Sequence, residues 1–346
     1  MGRRDMSGFL EVLSIGPSVT VQDQGRIGRL GQGVGQGGAA DKLALFEGAA
    51  LLGQSPANAA LEMAGMGGTF RASRAVRIAL TGAPMTATLD GQPLLWNAAH
   101  AVPQGATMKI GGVRAGVYGY LHIGGGIATE PLLEARSTHL LAGLGRALVA
   151  GDTLPLGADK GGPTAIALDV ADRTKGGILR VVDSLQTDLF SPETQARFYA
   201  TAFNRDARAN RMGVRLAWEG GGGFSSAGQL NLLSDFAIPG DIQMTGDGAP
   251  AVLLVEAQTT AGYPRLGTVL PCDLPRVAQA SLGAPLRFER ISRSEALALQ
   301  RKADAATFAL KSRVKPLHRD PRDIPDLLSY QLVDGVISGH VDKDTP

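Results

Sequence analysis

The chain has 346 residues, 44% of them hydrophobic and 19% charged, a globular composition long enough for two cores. Its 34 Lys and Arg residues nearly balance 32 Asp and Glu residues and are dispersed, and aromatics are only 5%, so neither a basic stripe nor a stacking platform for nucleic acid is present. The single cysteine, Cys272, excludes an internal disulfide and any cysteine-cluster metal site, and no apolar run approaches the roughly 18 residues of a spanning helix.

The first ten residues carry charge and no apolar h-region, so they do not read as a signal peptide and a cytoplasmic location is expected. Short apolar runs bounded by Gly, Pro or Asp predict strands at 9–15, 76–80, 107–110, 117–123, 178–182, 251–255 and 286–291. Helical periodicity predicts helices at 41–52, 191–203 and 294–311. Asp41 and Ser191 suit N-caps, Pro192 suits a first helical position, and Gly53 suits a stop. These helices do not alternate with the strands, which argues against a doubly wound sheet.

Residues 159–177 hold Gly-Gly-Pro and Gly-Gly and separate two strand-rich halves. The expected division is residues 9–165, residues 178–293, and an appended helix and Pro- and charge-rich tail over 294–346. A faint echo between residues 77–111 and 251–290 fits either two copies of one β-rich unit or shared strand composition.

Two polar, glycine-bracketed segments carry the candidate chemistry. In residues 20–41, Gln22, Asp23 and Arg26 fall within five positions. An Arg fork and a carboxylate around a Gly turn can converge on a small anion or amide; the alternative is that they pair with each other and cap turns. The Gly33–Gly38 run formally matches GxGxxG, but no buried strand leads into it and no Lys-Ser/Thr follows, so it reads as neither a dinucleotide fingerprint nor a P-loop. Met108-Lys109 sits in a plain alternating strand, where a solvated Lys is the natural reading rather than a biotin acceptor. In residues 256–265, Glu256 ends a strand and Gln258, Thr259 and Thr260 offer an amide and two hydroxyls before a Gly-Tyr-Pro turn. Such groups on a rigid turn suit an amide, urea or carboxyl ligand, or simply end a Thr-rich strand. Arg136-Ser137-Thr138, Arg211 and Gln243 are weaker candidates. The five histidines lack metal-ligand spacing and read as structural or surface residues.

Taken in order, GPSVTVQDQGRIG, ALE, TGA, GGI, RST, RMGVRL, PGDIQ, QTTAGYPRLGTV and GAPLRF resemble the biotin-dependent carboxyltransferase-like family, over about residues 9–295. That family includes the C subunit of bacterial ATP-dependent 5-oxoprolinase, allophanate-hydrolase-subunit-2-type proteins, the Kip-type antagonist of a kinase inhibitor, and the carboxyltransferase part of urea carboxylase. The resemblance implies a mainly β fold with some α: two tandem cyclophilin-like β-barrel domains with a cleft between them. It implies a component of an ATP-dependent amide or lactam hydrolase complex, partnered by a protein like the B subunit of 5-oxoprolinase and by a lactam-hydrolase component. The alternatives are a regulatory module antagonising a kinase inhibitor and a carboxyltransferase acting on carboxybiotin. ATP would be shared with or bound by the partner, and biotin would arrive only on another protein. Within this resemblance Arg26, Gln258 and Thr260 would donate to a developing oxyanion and Asp23 would act as base or orienter. Gln22, Asp41, Arg136, Ser137, Thr138, Arg211, Gln243, Thr259 and Tyr263 would contact substrate, and no metal is expected. This chain departs from the family pattern at Glu134-Ala135, Asn210, Met244-Thr245-Gly246, Ala257 and Ala261.

Overall fold

The computed structural model describes residues 8–226 and 232–317. In chain order the first half comprises β1 (Phe9–Ile15), β2 (Thr20–Gln22), α1 (Lys42–Leu52), β3 (Ala60–Ala64), β4 (Gly68–Ala72), β5 (Val76–Gly82), β6 (Met85–Leu89), β7 (Gln92–Pro93), β8 (Ala98–Val102), β9 (Thr107–Val113), β10 (Tyr118–Ile123), β11 (Thr153–Pro155) and β12 (Ile166–Leu168). The second half comprises β13 (Gly177–Asp183), α2 (Pro192–Ala200), β14 (Phe203–Arg205), β15 (Gly213–Trp218), β16 (Asp235–Phe236), β17 (Asp241–Met244), β18 (Pro250–Leu253), β19 (Thr260–Ala261), β20 (Arg265–Val269), α3 (Leu274–Gln279) and β21 (Pro285–Arg290). Then follow α4 (Arg293–Phe308) and β22 (Val314–Pro316).

The first half packs two sheets face to face. One runs β11-β1-β4-β9-β6-β7, the other β2-β3-β10-β5-β8-β12-β22. Alternation along the strands explains the pairing: Leu10, Val12, Phe70 and Met108 from one sheet meet Leu61, Ile78, Leu80 and Leu121 from the other in a dry core. The second half is a closed barrel, β13-β20-β17-β18-β15-β14-β21, completed by the parallel pairing of β13 with β21. Closure removes the exposed edges. Phe198 on α2 plugs the barrel against Phe203, Phe224 and Phe288, with ring centroids 5.0–5.6 Å away.

The mainly β reading holds, and α1 and α2 begin where the caps indicated. Asp41 accepts the Ala44 N–H at 3.3 Å and Ser191 accepts that of Thr194 at 3.2 Å. The third helix begins slightly earlier than expected, because Ser292 and Glu295 form a capping box. The largest difference lies at the division points. Ile166–Leu168 pairs with β8, so the first half runs past residue 165. β22 then pairs with β12, so the chain returns after the barrel and adds a strand to the first half. Three-residue stretches such as these carry no period by which sequence could assign them to a sheet. The tail expected beyond Leu317 lies outside the described residues.

α1 crosses the second sheet of the first half, burying Ala44, Leu45, Leu51 and Leu52. Gly48 at its centre is demanded by tertiary contact. A Cβ there would stand 2.4 Å from the buried His122 ring. Gly48→Ala should therefore destabilise the fold by about 1–3 kcal/mol through overpacking, although the helix itself gains up to about 1 kcal/mol from alanine. Urea unfolding of the variant checks the sign, and a more stable protein would contradict this packing.

Candidate functional site

The halves do not merely abut. One apolar core runs from Ala39, Leu45, Ala60 and Tyr120 into Leu179, Phe203, Ile242 and Leu266. Residues 20–41 and 256–265 meet across this junction. Gly37 N–H donates to the Val255 carbonyl at 3.0 Å, and Gly35 lies against Ala257.

Residues 20–41 are shaped from within. All three residues of β2 are buried, and Gln22 Nε2 donates to Thr20 Oγ1 and to the Thr138 carbonyl, each at 3.0 Å. Gln22 Oε1 is buried without a partner. Asp23 ends the strand: Oδ1 accepts the Gly25 N–H at 2.9 Å and Oδ2 accepts the Arg136 N–H at 2.6 Å. Gly25 has φ +83, and a Cβ there would fall 2.4 Å from the Gln36 carbonyl oxygen, so only glycine makes this turn. Arg26 donates to the Leu132 carbonyl at 3.0 Å, to Ser137 Oγ at 3.1 Å and to the Ser137 carbonyl at 2.7 Å. Burial lowers its pKa and the Asp23 charge opposes the shift, but a guanidinium remains ionised. Asp23 and Arg26 thus share a task without pairing with each other: both pin the loop that carries Arg136, Ser137 and Thr138.

Arg211 stands at the centre of the junction. It donates from Nε to Glu256 Oε1 at 2.8 Å, from Nη1 to Glu62 Oε1, and from Nη2 to the Gly38 carbonyl at 2.7 Å. Burial works against its charge, but the carboxylates of Glu62 and Glu256 outweigh it and hold the pKa above the ordinary arginine value. Glu62 Oε2 also accepts from Tyr120 Oη at 2.6 Å and from the Ala40 N–H at 2.8 Å. A neighbouring buried cluster joins Arg173 to Asp41 at 2.6 Å and to Glu47 at 2.7 Å. Gln279 adds a hydrogen bond to Asp41 at 2.8 Å.

Two cavities flank this junction. The larger, about 580 Å3, lies between Ala64, Gly65, Tyr118, Leu140 and Leu141 of the first half and Asn210, Met212 and Glu256 of the second. The smaller, about 130 Å3, is walled by Arg26, Gly35 and Gln36 on one side and by Ala237, Ala257 and Thr259 on the other. The expected residues divide among these surroundings. Gln22, Asp23, Arg26, Arg136, Ser137 and Thr138 gather in one cluster beside the small cavity, with only Arg136 exposed. Thr259 lines that cavity, while its neighbours Gln258 and Thr260, the latter at the start of β19, are exposed. Tyr263, between β19 and β20, is 43% exposed. Gln243 lies in the barrel wall, buried, with Nε2 unpartnered. Asp41 and Arg211 are the corrections to the expected contacts. Their charged atoms are already engaged within the protein, so they brace the cleft.

Sequence reasoning passed over His139. It follows Arg136-Ser137-Thr138 directly, which was the available signal. It is 3% exposed and packs against Gly35 and Gly37, beside Arg26. Burial lowers its pKa; the charges of Arg211 and Arg26 act in the same direction, and Glu256 and its own carbonyl oppose them. Among the described residues no group of three or more His, Cys, Asp or Glu side chains could hold a metal ion.

A two-sheet half and a closed barrel, joined by buried ion pairs with a cleft between them, define a two-part β module. Residues 32–290 match the family model described as carboxyltransferase domain, subdomain A and B, and the chain belongs to that family. It is 31% identical over 298 residues to the C subunit of 5-oxoprolinase from Haemophilus influenzae, covering 85% of this chain and 95% of that protein. It is 32% identical over 293 residues to the C subunit of 5-oxoprolinase from Escherichia coli, covering 84% and 93%. The fold matches the crystal structure of the K. lactis urea amidolyase with a TM-score of 0.79 at 24% identity, covering 92% of this chain but 21% of that one.

Proposed function

We propose that this chain is one component of an ATP-dependent amide or lactam hydrolase complex of the 5-oxoprolinase type, acting in the cytoplasm. The observation that carries the reading is similarity along nearly the full length of two proteins named as the C subunit of 5-oxoprolinase. The meeting of residues 20–41 with residues 256–265 at one small cavity supports it. Chemistry on an amide carbonyl requires donors for the oxygen that gains charge and a group to handle a proton. Arg26 and Thr259 on the cavity wall, and Gln258 and Thr260 on either side of Thr259, are the donors we assign; Asp23 orients the loop beside them.

ATP is assigned to a partner protein or to the interface with it. Arg211 is committed to Glu62, Glu256 and the Gly38 carbonyl, which leaves its fork closed to phosphate. The expected partners are a protein of the same superfamily, like the B subunit of 5-oxoprolinase, and a lactam-hydrolase component. Biotin would enter only on a separate carrier.

The test is reconstitution with those partners and measurement of ATP turnover dependent on 5-oxoproline. Arg26→Ala and Gln258→Ala should each lower the rate about a hundredfold, the effect of losing one oxyanion donor. Wild-type rates in both variants, with unchanged thermal midpoints, would remove these residues from the reaction.

A further inference from the structure

We propose that Arg29 selects a carboxylate-bearing amide or lactam, by pairing with the substrate's carboxylate at the small cavity between the two halves. This deepens the hydrolase reading and rests on it.

The charge of the cavity comes first. Its polar lining side chains are Arg26, Arg29, Gln36 and Thr259, and the rest of the lining is glycine or apolar. Both ionisable groups in that wall are cations, and no carboxylate lines it. Asp23 offsets Arg26 alone: its charge acts on that guanidinium, and both its oxygens accept backbone N–H groups. A cation among apolar walls is poorly screened, which favours an anionic ligand. At about 130 Å3 the cavity is well below the roughly 300–1,000 Å3 of sites for drug-sized molecules, so its ligand is small.

The two arginines are held differently. Arg26 is 2% exposed and donates to backbone and hydroxyl oxygens of residues 132–137. The Arg29 backbone is equally fixed, because its carbonyl accepts the Gln32 N–H at 2.9 Å as a short 3-10 turn, Leu30–Gln32, begins. Its side chain is not. That side chain is 25% exposed, and its Nη2 meets Glu134 Oε2 at 2.9 Å while Nη1 donates to Gln32 Oε1 at 3.3 Å. The Glu134 side chain is 81% exposed and Gln32 is exposed as well. Among the described residues the Arg29 fork makes no other hydrogen bond.

An ion pair this open to water is weak, so a carboxylate that also gains contact with the cavity can displace Glu134. The planar fork of arginine matches a carboxylate with two parallel hydrogen bonds. Glu134 therefore holds the fork ready while the cavity is empty of substrate and competes with the ligand for it. Arg26 and Thr259 then meet the amide carbonyl, and Arg29, three residues further along the same wall, meets the acid group. The pairing makes and breaks no covalent bond; it decides which amides enter.

The test is calorimetry on the full chain, alone and reconstituted with its partners. The probes are 5-oxoproline, pyrrolidinone (the same lactam ring without the carboxylate) and inorganic phosphate. The wild type should bind 5-oxoproline about tenfold tighter than pyrrolidinone, the effect of one hydrogen-bonded charge pair. Arg29→Gln should remove that preference by weakening 5-oxoproline alone, and Glu134→Gln should tighten 5-oxoproline a few fold by removing the competitor. In turnover Arg29→Gln should raise KM for 5-oxoproline about tenfold with little change in kcat. An Arg29-dependent preference in a complex that turns over nothing would sink the hydrolase reading and keep the carboxylate site. Turnover of 5-oxoproline unaffected by Arg29→Gln would overturn the site and leave the hydrolase reading standing. The site is equally overturned by equal losses for both lactams, by no preference in the wild type, or by Arg29-dependent binding of phosphate alone.

Discussion

Replacing Arg211 with methionine should lower the stability of the protein by about 3–5 kcal/mol, the penalty for leaving buried carboxylates without their cation. Glu62 and Glu256 are 1% and 4% exposed and both pair with this one guanidinium. Methionine fills the volume but supplies no charge, so each carboxylate must either remain ionised in an apolar setting or take up a proton on folding. The loss should grow as pH rises, because protonation becomes harder. Adding Glu62→Gln and Glu256→Gln to the Arg211→Met chain should recover part of the loss, since the unpaired charges are then gone. Urea unfolding of the wild-type chain, the single variant and the triple variant measures this. A single-variant loss below about 1 kcal/mol would mean the pairs are worth no more than surface ion pairs. Arg211 also holds the Gly38 carbonyl, so the variant should loosen the approach of residues 20–41 to the barrel and depress any activity of the cleft.

Acid should weaken the fold through His122. This ring is fully buried between β10 and α1, and its pKa is pushed down to about 3 by burial. Its Nε2 lies 2.8 Å from Thr81 Oγ1, whose own hydrogen goes to the Ala44 carbonyl, so the ring donates and stays neutral. Above an ordinary histidine pKa of about 6.5 both folded and unfolded chains hold the neutral form, and pH has no effect through this group. Below it the unfolded chain binds a proton that the folded chain refuses, so stability falls as pH drops from about 6.5 toward 3. Each unit of depression is worth about 1.4 kcal/mol, so the full titration removes roughly 5 kcal/mol. His122→Gln should be less stable at pH 7 but should show a flatter decline between pH 6.5 and 4. Parallel declines in the two proteins would assign the acid sensitivity elsewhere.

Much of the site was legible because its parts are local. Asp23 reads as a turn-former beside glycines, and Arg26 as a fork three residues on, and both hold a loop. Their target, the backbone of residues 132–137, lies more than a hundred positions away, and no local pattern names it. Pairing of Asp23 with Arg26 was the natural alternative from spacing, yet the fold sends each to a different part of the same loop. Asp41 was legible as a helix cap, and its bond to Ala44 is local. Its bond to Arg173 is not, and that bond is what removes its second oxygen from any ligand.

The sequence by itself determined that the chain is mainly β and where α1 and α2 begin, and it singled out two polar segments as candidates. Period-2 alternation, glycine turns and Ser or Asp caps act over a few residues, and so they can be read from a few residues. Tertiary structure alone decided that the chain returns after the barrel to pair β22 with β12, that Arg211 and Asp41 brace the cleft, and that His139 faces the meeting of Gly35 with Ala257. Those outcomes depend on burial and on partners remote in sequence. Burial sets the cost of each charge, and only the closed fold reveals which groups are near enough to offset it.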